Sequence, residues 1–190
     1  MGKSKGILMR ILGGVLLLIA LFYFVIGPIM RSQTKKYSPE QTITFNQGNL
    51  HVDVFYCSPA KKGRDIFGGL VPYGEVWRTG ANEATTFEAD EDIRINGQTL
   101  PAGKYSLWTI PNEDKWTIIF NSKMYGWGVK FLNAKASRNP NYDVLVTEVP
   151  ISKSITAMEQ FTINFTENGP NSMVMILAWD DVVVPVKMSH

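Results

Sequence analysis

The run Ile11–Met30 (ILGGVLLLIALFYFVIGPIM) contains no charged residue, and this sets the first limit on what the chain can become. As a helix rising about 1.5 Å per residue, such a run crosses about 30 Å of hydrocarbon. Lipid cannot satisfy free backbone groups, so a helix is the only form open to a single crossing segment. A cleaved signal peptide has a shorter apolar core, about 7 to 15 residues, ending in small residues. Here the far end is bulky (Phe22, Tyr23, Phe24, Val25, Ile26) and no Ala-x-Ala pattern follows. The expectation is an uncleaved signal-anchor over residues 1–31. Lys3, Lys5 and Arg10 precede the span and Arg31, Lys35 and Lys36 follow it, so the positive-inside rule is nearly balanced. The short N-terminal tail and the large remainder place the N-terminus inside. The remainder is then expected on the extracytoplasmic, periplasmic side of an inner membrane.

The formal charge of +2 is a property of the flanks. Setting aside Lys3, Lys5, Arg10 and Arg31 leaves 15 of the 19 basic residues against all 17 acidic ones. The remainder has neither the basic excess nor the basic stripe that phosphate neutralisation requires, which excludes nucleic acid as the expected partner. Cys57 is the only cysteine, so neither an internal disulfide nor a multi-cysteine metal cluster can form. A lone thiol in a strand reads as a small buried hydrophobe.

Ser32–Gln41 (SQTKKYSPEQ) is polar and reads as a tether over residues 32–41, with the folded domain over residues 42–190. From there the dominant period is two. Leu50, Val52, Val54 and Tyr56 alternate with His51, Asp53, Phe55 and Cys57. Further strand patterns cover Thr85–Ile95, Tyr105–Ile110, Lys115–Asn121, Tyr142–Val149, Phe161–Phe165, Met173–Trp179 and Val182–Lys187. Asn96-Gly97 and Pro101-Ala102-Gly103 are turn signals, and Pro185 argues for an edge position. Ser152–Met158 is the one stretch that reads as one or two helical turns. About eight short strands with frequent turns predict an all-β fold, an antiparallel β-sandwich of the jelly-roll or immunoglobulin-like kind.

Gly68–Thr85 (GGLVPYGEVWRTGANEAT) concentrates hydrogen-bonding groups beside two large rings. Tyr73, Trp77, Arg78, Asn82 and Glu83 are the ligand-binding candidates. Aromatic faces beside an amide, a guanidinium fork and a carboxylate suit a glycan or another small polar ligand. The plainer alternative is an ordered corner in which Trp77 packs inward while Arg78 and Glu83 tie the loop. Arg64 and Asp65 can join either arrangement. Tyr125-Gly126-Trp127-Gly128 is a glycine-framed aromatic loop able to cap the same place.

Other constellations are incomplete. His51 and Asp53 share a strand face, but the only other histidine is His190, so an exposed polar face explains them better than a metal site. Glu83 with Asp53 or Glu88 is a candidate carboxylate pair for glycoside hydrolysis whose separation the sequence does not set. No nucleophile elbow, Walker loop, Gly-x-Gly-x-x-Gly or EF-hand spacing occurs. No metal and no cofactor is expected. Trp108, Trp116, Trp127 and Trp179 read as core or sheet-face residues.

VPYGEVWRTGANEATTF followed by INGQTLPAGKYSLWTIPNEDKWTIIFN resembles an uncharacterised bacterial family, domain of unknown function 2911. The resemblance runs from about Val52 to Val186 and rests on the Trp-Arg-Thr-Gly-Ala-Asn-Glu-Ala-Thr and Leu-Pro-Ala-Gly-x-Tyr-Ser-Leu blocks. It implies an exported β-rich domain and no particular activity. Many members look like proteins with a signal peptide, and the longer apolar run here departs from them. The expected function is non-enzymatic: an anchored domain binding a small polar ligand, a glycan or an envelope protein. The alternatives are a hydrolase with its acid/base site around Glu83 and Arg78, and a structural subunit of an envelope complex. An uncleaved anchor predicts that the chain stays with membranes through alkaline carbonate extraction and keeps its first residues by mass spectrometry. A mature chain beginning after Arg31 contradicts it.

Overall fold

The computed structural model describes residues 2–190, and their side chains from Gly6 onward; Lys3 and Lys5 lie outside the described side chains. Two compact units result, residues 1–37 and 38–190.

The first unit is helical: α1 (Gly2–Leu21), a π-helical turn (Phe22–Ile26) and α2 (Gly27–Tyr37). The π turn lies just ahead of Pro28. A proline ring clashes with the carbonyl four residues back, here Phe24, and a widened turn is a common accommodation. Residues 32–37, expected as tether, continue the helix. Gly6–Tyr37 is long and apolar enough to cross a membrane; a signal sequence near an N-terminus meets the same description.

The second unit is two antiparallel sheets. The larger has the order β1-β2-β3-β6-β7-β8, formed by β1 (Glu40–Gln47), β2 (Leu50–Cys57), β3 (Thr86–Ala89), β6 (Gly103–Ile110), β7 (Lys115–Asn121) and β8 (Asp143–Pro150). The smaller has the order β5-β4-β10-β9, formed by β4 (Ile93–Ile95), β5 (Gln98–Leu100), β9 (Ser152–Glu167) and β10 (Ser172–Ser189). The sandwich expected from the period-two pattern is therefore present. Asn96 and Gly97 both have positive φ (50° and 80°) and join Ile95 to Gln98, the backbone a two-residue primed turn requires.

The core lies between the sheets. Leu50, Val52, Val54 and Tyr56 of β2 and Trp116, Ile118 and Phe120 of β7 face Phe161 and Ile163 of β9 and the long strand β10. Strand β10 joins two runs that the sequence reading separated at Asp180-Asp181. Asp180 has φ 54°, and the pairing with β9 shifts register on either side of it. Buried residues ahead of it are Met173, Met175, Leu177 and Trp179; after it they are Val182, Val184, Val186 and Met188. One extra residue thus changes the alternation from odd to even and keeps both halves facing inward. Strand β10 is not an edge strand. Pro185 is accommodated because it falls between the last pair with β9 (Val183–Ser152) and the first with β4 (Met188–Ile95). Ser152–Met158 is extended rather than helical, with residues 154–157 bulged out of register and Ile155 fully exposed.

At one end of the core, Phe67, Trp77, Trp116, Phe161 and Trp179 form a nest of aromatic contacts. Trp77 meets Phe161 edge-on at 5.0 Å and lies nearly parallel to Trp179 at 6.0 Å. Trp116 meets Phe67 at 4.9 Å. Such pairs add about 0.5–1.5 kcal/mol each beyond the burial of their area. Phe161→Ala is expected to destabilise the domain by about 3–5 kcal/mol, read as a lowered denaturant midpoint. Ile155→Ser, on the exposed bulge, is expected to change stability by less than about 0.5 kcal/mol.

Candidate functional site

Residues 74–85 run beside the second half of β6, bonded at Leu107, Thr109 and the adjoining Pro111, and to β2 at Cys57. Trp77 exchanges both backbone hydrogen bonds with Thr109 (2.7 and 3.0 Å), and this short bridge sets the facing of its neighbours. In extended backbone successive side chains point to opposite sides. Trp77 therefore enters the aromatic nest, its Nε1 donating to the Gly80 carbonyl at 3.0 Å, while Arg78 turns to the outer face of the larger sheet. Gly80 fits closely against β2: a Cβ there would lie 2.9 Å from the Cys57 carbonyl oxygen.

Three of the five expected residues meet on that outer face. Arg78 is half-buried, and one guanidinium nitrogen donates to the Trp127 carbonyl at 3.0 Å. Burial lowers its pKa, opposed by the neighbouring Cys57 and Glu83. Asn82 is buried with φ 56°; its amide donates to the Ser38 carbonyl at 3.4 Å and also faces the Cys57 sulfur. Glu83 accepts from the Cys57 thiol, Sγ to Oε2 3.4 Å. Trp77 supports the group from the other side of the segment. Tyr73 goes elsewhere: its exposed ring lies over Gly68, and the following Gly74 bonds the carbonyl of Pro111.

Glu40 joins the group, a residue the sequence reading missed. It stands opposite Cys57 in the β1–β2 register, and the ligand atoms of Glu40, Cys57 and Glu83 lie within 4.8 Å of one another. A cation held there would have to displace the thiol proton and tolerate the charge of Arg78. The glycine-framed loop closes one side. Ala84 bonds the Gly126 carbonyl at 3.0 Å, and Gly128 presses so near Arg78 that a Cβ would meet its Cβ at 3.2 Å. Trp108 and Ile119 pack with Tyr125 and Ala136 beneath this loop.

The remaining candidates sort simply. His51 Nε2 lies 3.2 Å from Asp53 Oδ2 and His51 Nδ1 2.6 Å from Asn46 on an open strand face. The Thr44 hydroxyl at 2.5 Å is the largest influence holding Asp53 below its ordinary pKa, followed in the same direction by His51. Among the described residues no third side chain of ligand type joins that pair. Glu88 pairs with Lys104 at 2.7 Å. Arg64 bonds the carbonyls of Ala60 and Lys61 in its own loop. Of the four other tryptophans, Trp108, Trp116 and Trp179 are buried, and Trp127 is 37% exposed.

The fold and site define a two-sheet antiparallel β-domain that follows an N-terminal apolar helix in the sequence, with an Arg–Glu–Cys group on its larger sheet. Residues 38–188 match the family described as protein of unknown function (DUF2911), and the chain belongs to that family. No curated protein and no solved structure matches the chain.

The Cys57 thiol is pushed up from 9.0 to about 11, first by burial and then by the hydrogen bond and charge of Glu83. At neutral pH it is a protonated donor and not a nucleophile. The unfolded thiol loses its proton near pH 9 while the folded one holds it until about pH 11, so stability falls across that window. The loss amounts to about 2–3 kcal/mol, at 1.36 kcal/mol per unit. The difference between wild type and Cys57→Ala in urea stability, measured from below pH 9 to pH 11, is expected to show it. Glu83→Gln is expected to return the thiol only part of the way toward pH 9 by ultraviolet thiolate absorbance, since burial persists.

Proposed function

We propose that the chain is a single-span protein of the inner membrane that holds its β-domain on the extracytoplasmic side, and that the Arg78 corner binds a small polar ligand. The ligand class that suits the corner best is a hydroxyl-rich one, such as a glycan unit. One observation carries this reading. The guanidinium of Arg78 is set near the Glu83 carboxylate and the Cys57 thiol, which the Asn82 amide faces, under a loop whose Trp127 is 37% exposed. Hydroxyl groups act as donor and acceptor together, which suits a carboxylate and a guanidinium side by side, and an exposed indole offers a sugar face its apolar contact. Trp77 contributes from the other side of the segment by holding it down, and Tyr73 lies apart from the corner.

A glycan and metabolite panel with the full chain in nanodiscs, read by thermal shift, tests this reading. A hit is expected to weaken about tenfold or more on Arg78→Ala, since hydrogen bonds to charged groups contribute about 1.5–3 kcal/mol. No shift with any member of the panel, or a hit unaffected by Arg78→Ala and Glu83→Gln, contradicts it.

A second reading, hydrolysis, rests on Glu40 and Glu83. Their carboxylates approach within 4.8 Å, close to the about 5 Å separation of retaining glycosidases. It requires Glu40→Gln and Glu83→Gln each to abolish turnover of a glycoside that wild type cleaves.

A further inference from the structure

Ser122–Pro140 leaves the larger sheet between β7 and β8 and returns through a 3₁₀ turn (Pro140–Tyr142). Its base is well tied. The Tyr125 hydroxyl receives the Asn139 N–H at 2.8 Å and approaches Asn121 Oδ1 at 3.3 Å. Arg138 pairs with Asp143. Above the base a small hairpin stands out. Val129 bridges Ala136, the Lys130 N–H donates to the Lys135 carbonyl at 2.8 Å, and Ala134 turns the chain with φ 54°. Its apex is Phe131 and Leu132, 100% and 94% exposed.

We infer that this hairpin tip inserts into an anionic phospholipid bilayer, with Phe131 and Leu132 at the acyl boundary and Lys130 and Lys135 at the level of the headgroups. Three observations favour a bilayer. Two large apolar side chains occupy the point of a turn and are almost completely exposed. An exposed lysine stands on each side of them, with a stem long enough to keep its ammonium in the headgroup layer while the apex goes deeper. The whole excursion has no acidic residue, whereas it carries Lys123, Lys130 and Lys135 besides the Arg138 that Asp143 neutralises. That charge complements an anionic surface. A protein groove fits less well, because a stable interface covers about 800 Å² per partner and one turn presents much less. The inference does not use the Arg78 corner and stands or falls apart from it.

The test places an environment-sensitive fluorophore at Leu132→Cys in the full chain, reconstituted into vesicles of phosphatidylglycerol and phosphatidylcholine. Cys57 is buried and stays unlabelled under native conditions. Lipids carrying bromine along the acyl chain report depth. The expected result is a blue shift with quenching by shallow acyl bromine. Insertion should weaken by about tenfold or more in phosphatidylcholine alone or with Lys130→Glu and Lys135→Glu combined. It should also weaken near 1 M salt, where the screening length is about 3 Å. A fluorophore at Ile155→Cys, equally exposed but flanked only by Lys153, which is paired with Asp181, is expected to stay in water. Equal quenching at 132 and 155, or equal insertion without anionic lipid, overturns the inference. So does an unquenched tip that becomes shielded only as protein density rises, which identifies a second copy of the chain as the occupant. The substituted positions are exposed, and an unchanged unfolding transition confirms that each variant is folded.

Discussion

The packing of the partly buried Trp77 against the core between the two sheets is the constraint on which the rest of the domain's surface chemistry depends. Its ring touches Phe67, Trp116, Phe161 and Trp179, so it draws on both sheets at once. Its backbone is fastened to Thr109 from both sides. With position 77 facing inward, position 78 has to face outward, and Arg78 arrives on the outer sheet face with no separate device to put it there. The tight fit of Gly80 against Cys57 then turns the chain, bringing Asn82 and Glu83 back to the same spot. A packing interaction and a polar group are thus two sides of one short segment.

That group is held by mixed forces. Burial opposes the charge of Arg78 and the ionisation of Cys57, while Glu83 favours the first and resists the second. The result is a neutral thiol donor, a carboxylate and a guanidinium at close range. Such a set recognises hydrogen-bonding patterns better than it performs nucleophilic chemistry. The hairpin of residues 129–136 begins at Gly128, the residue that presses on Arg78, so the corner and the exposed apex belong to one excursion.

Where a signal is local, the sequence carried it. The alternation in Leu50–Cys57 and the Asn96-Gly97 turn both appear as read, because strand facing and turn backbone are decided by adjacent residues. Arg78, Asn82 and Glu83 come together because they lie within six residues of one another on one turning segment. Glu40 was not legible: it meets Cys57 through strand register, which no spacing of residues reveals. The length of β10 was hidden because Asp180-Asp181 resembles a break, whereas one left-handed residue only shifts the phase of a continuing strand. In Ser152–Met158, pairing with β10 overrides a weak helical pattern. Tyr73 and Trp77 lie within five residues of Arg78 in sequence, yet their facing sends them elsewhere.

Amide hydrogen exchange at Trp77 and Thr109 in the native protein tests the central claim most directly. If Trp77 is clamped between the sheets, its backbone N–H and its indole N–H exchange only through global unfolding, with the same denaturant dependence as the β7 amides. Exchange of either group at the rate of an open surface loop, with little denaturant dependence, would contradict the account.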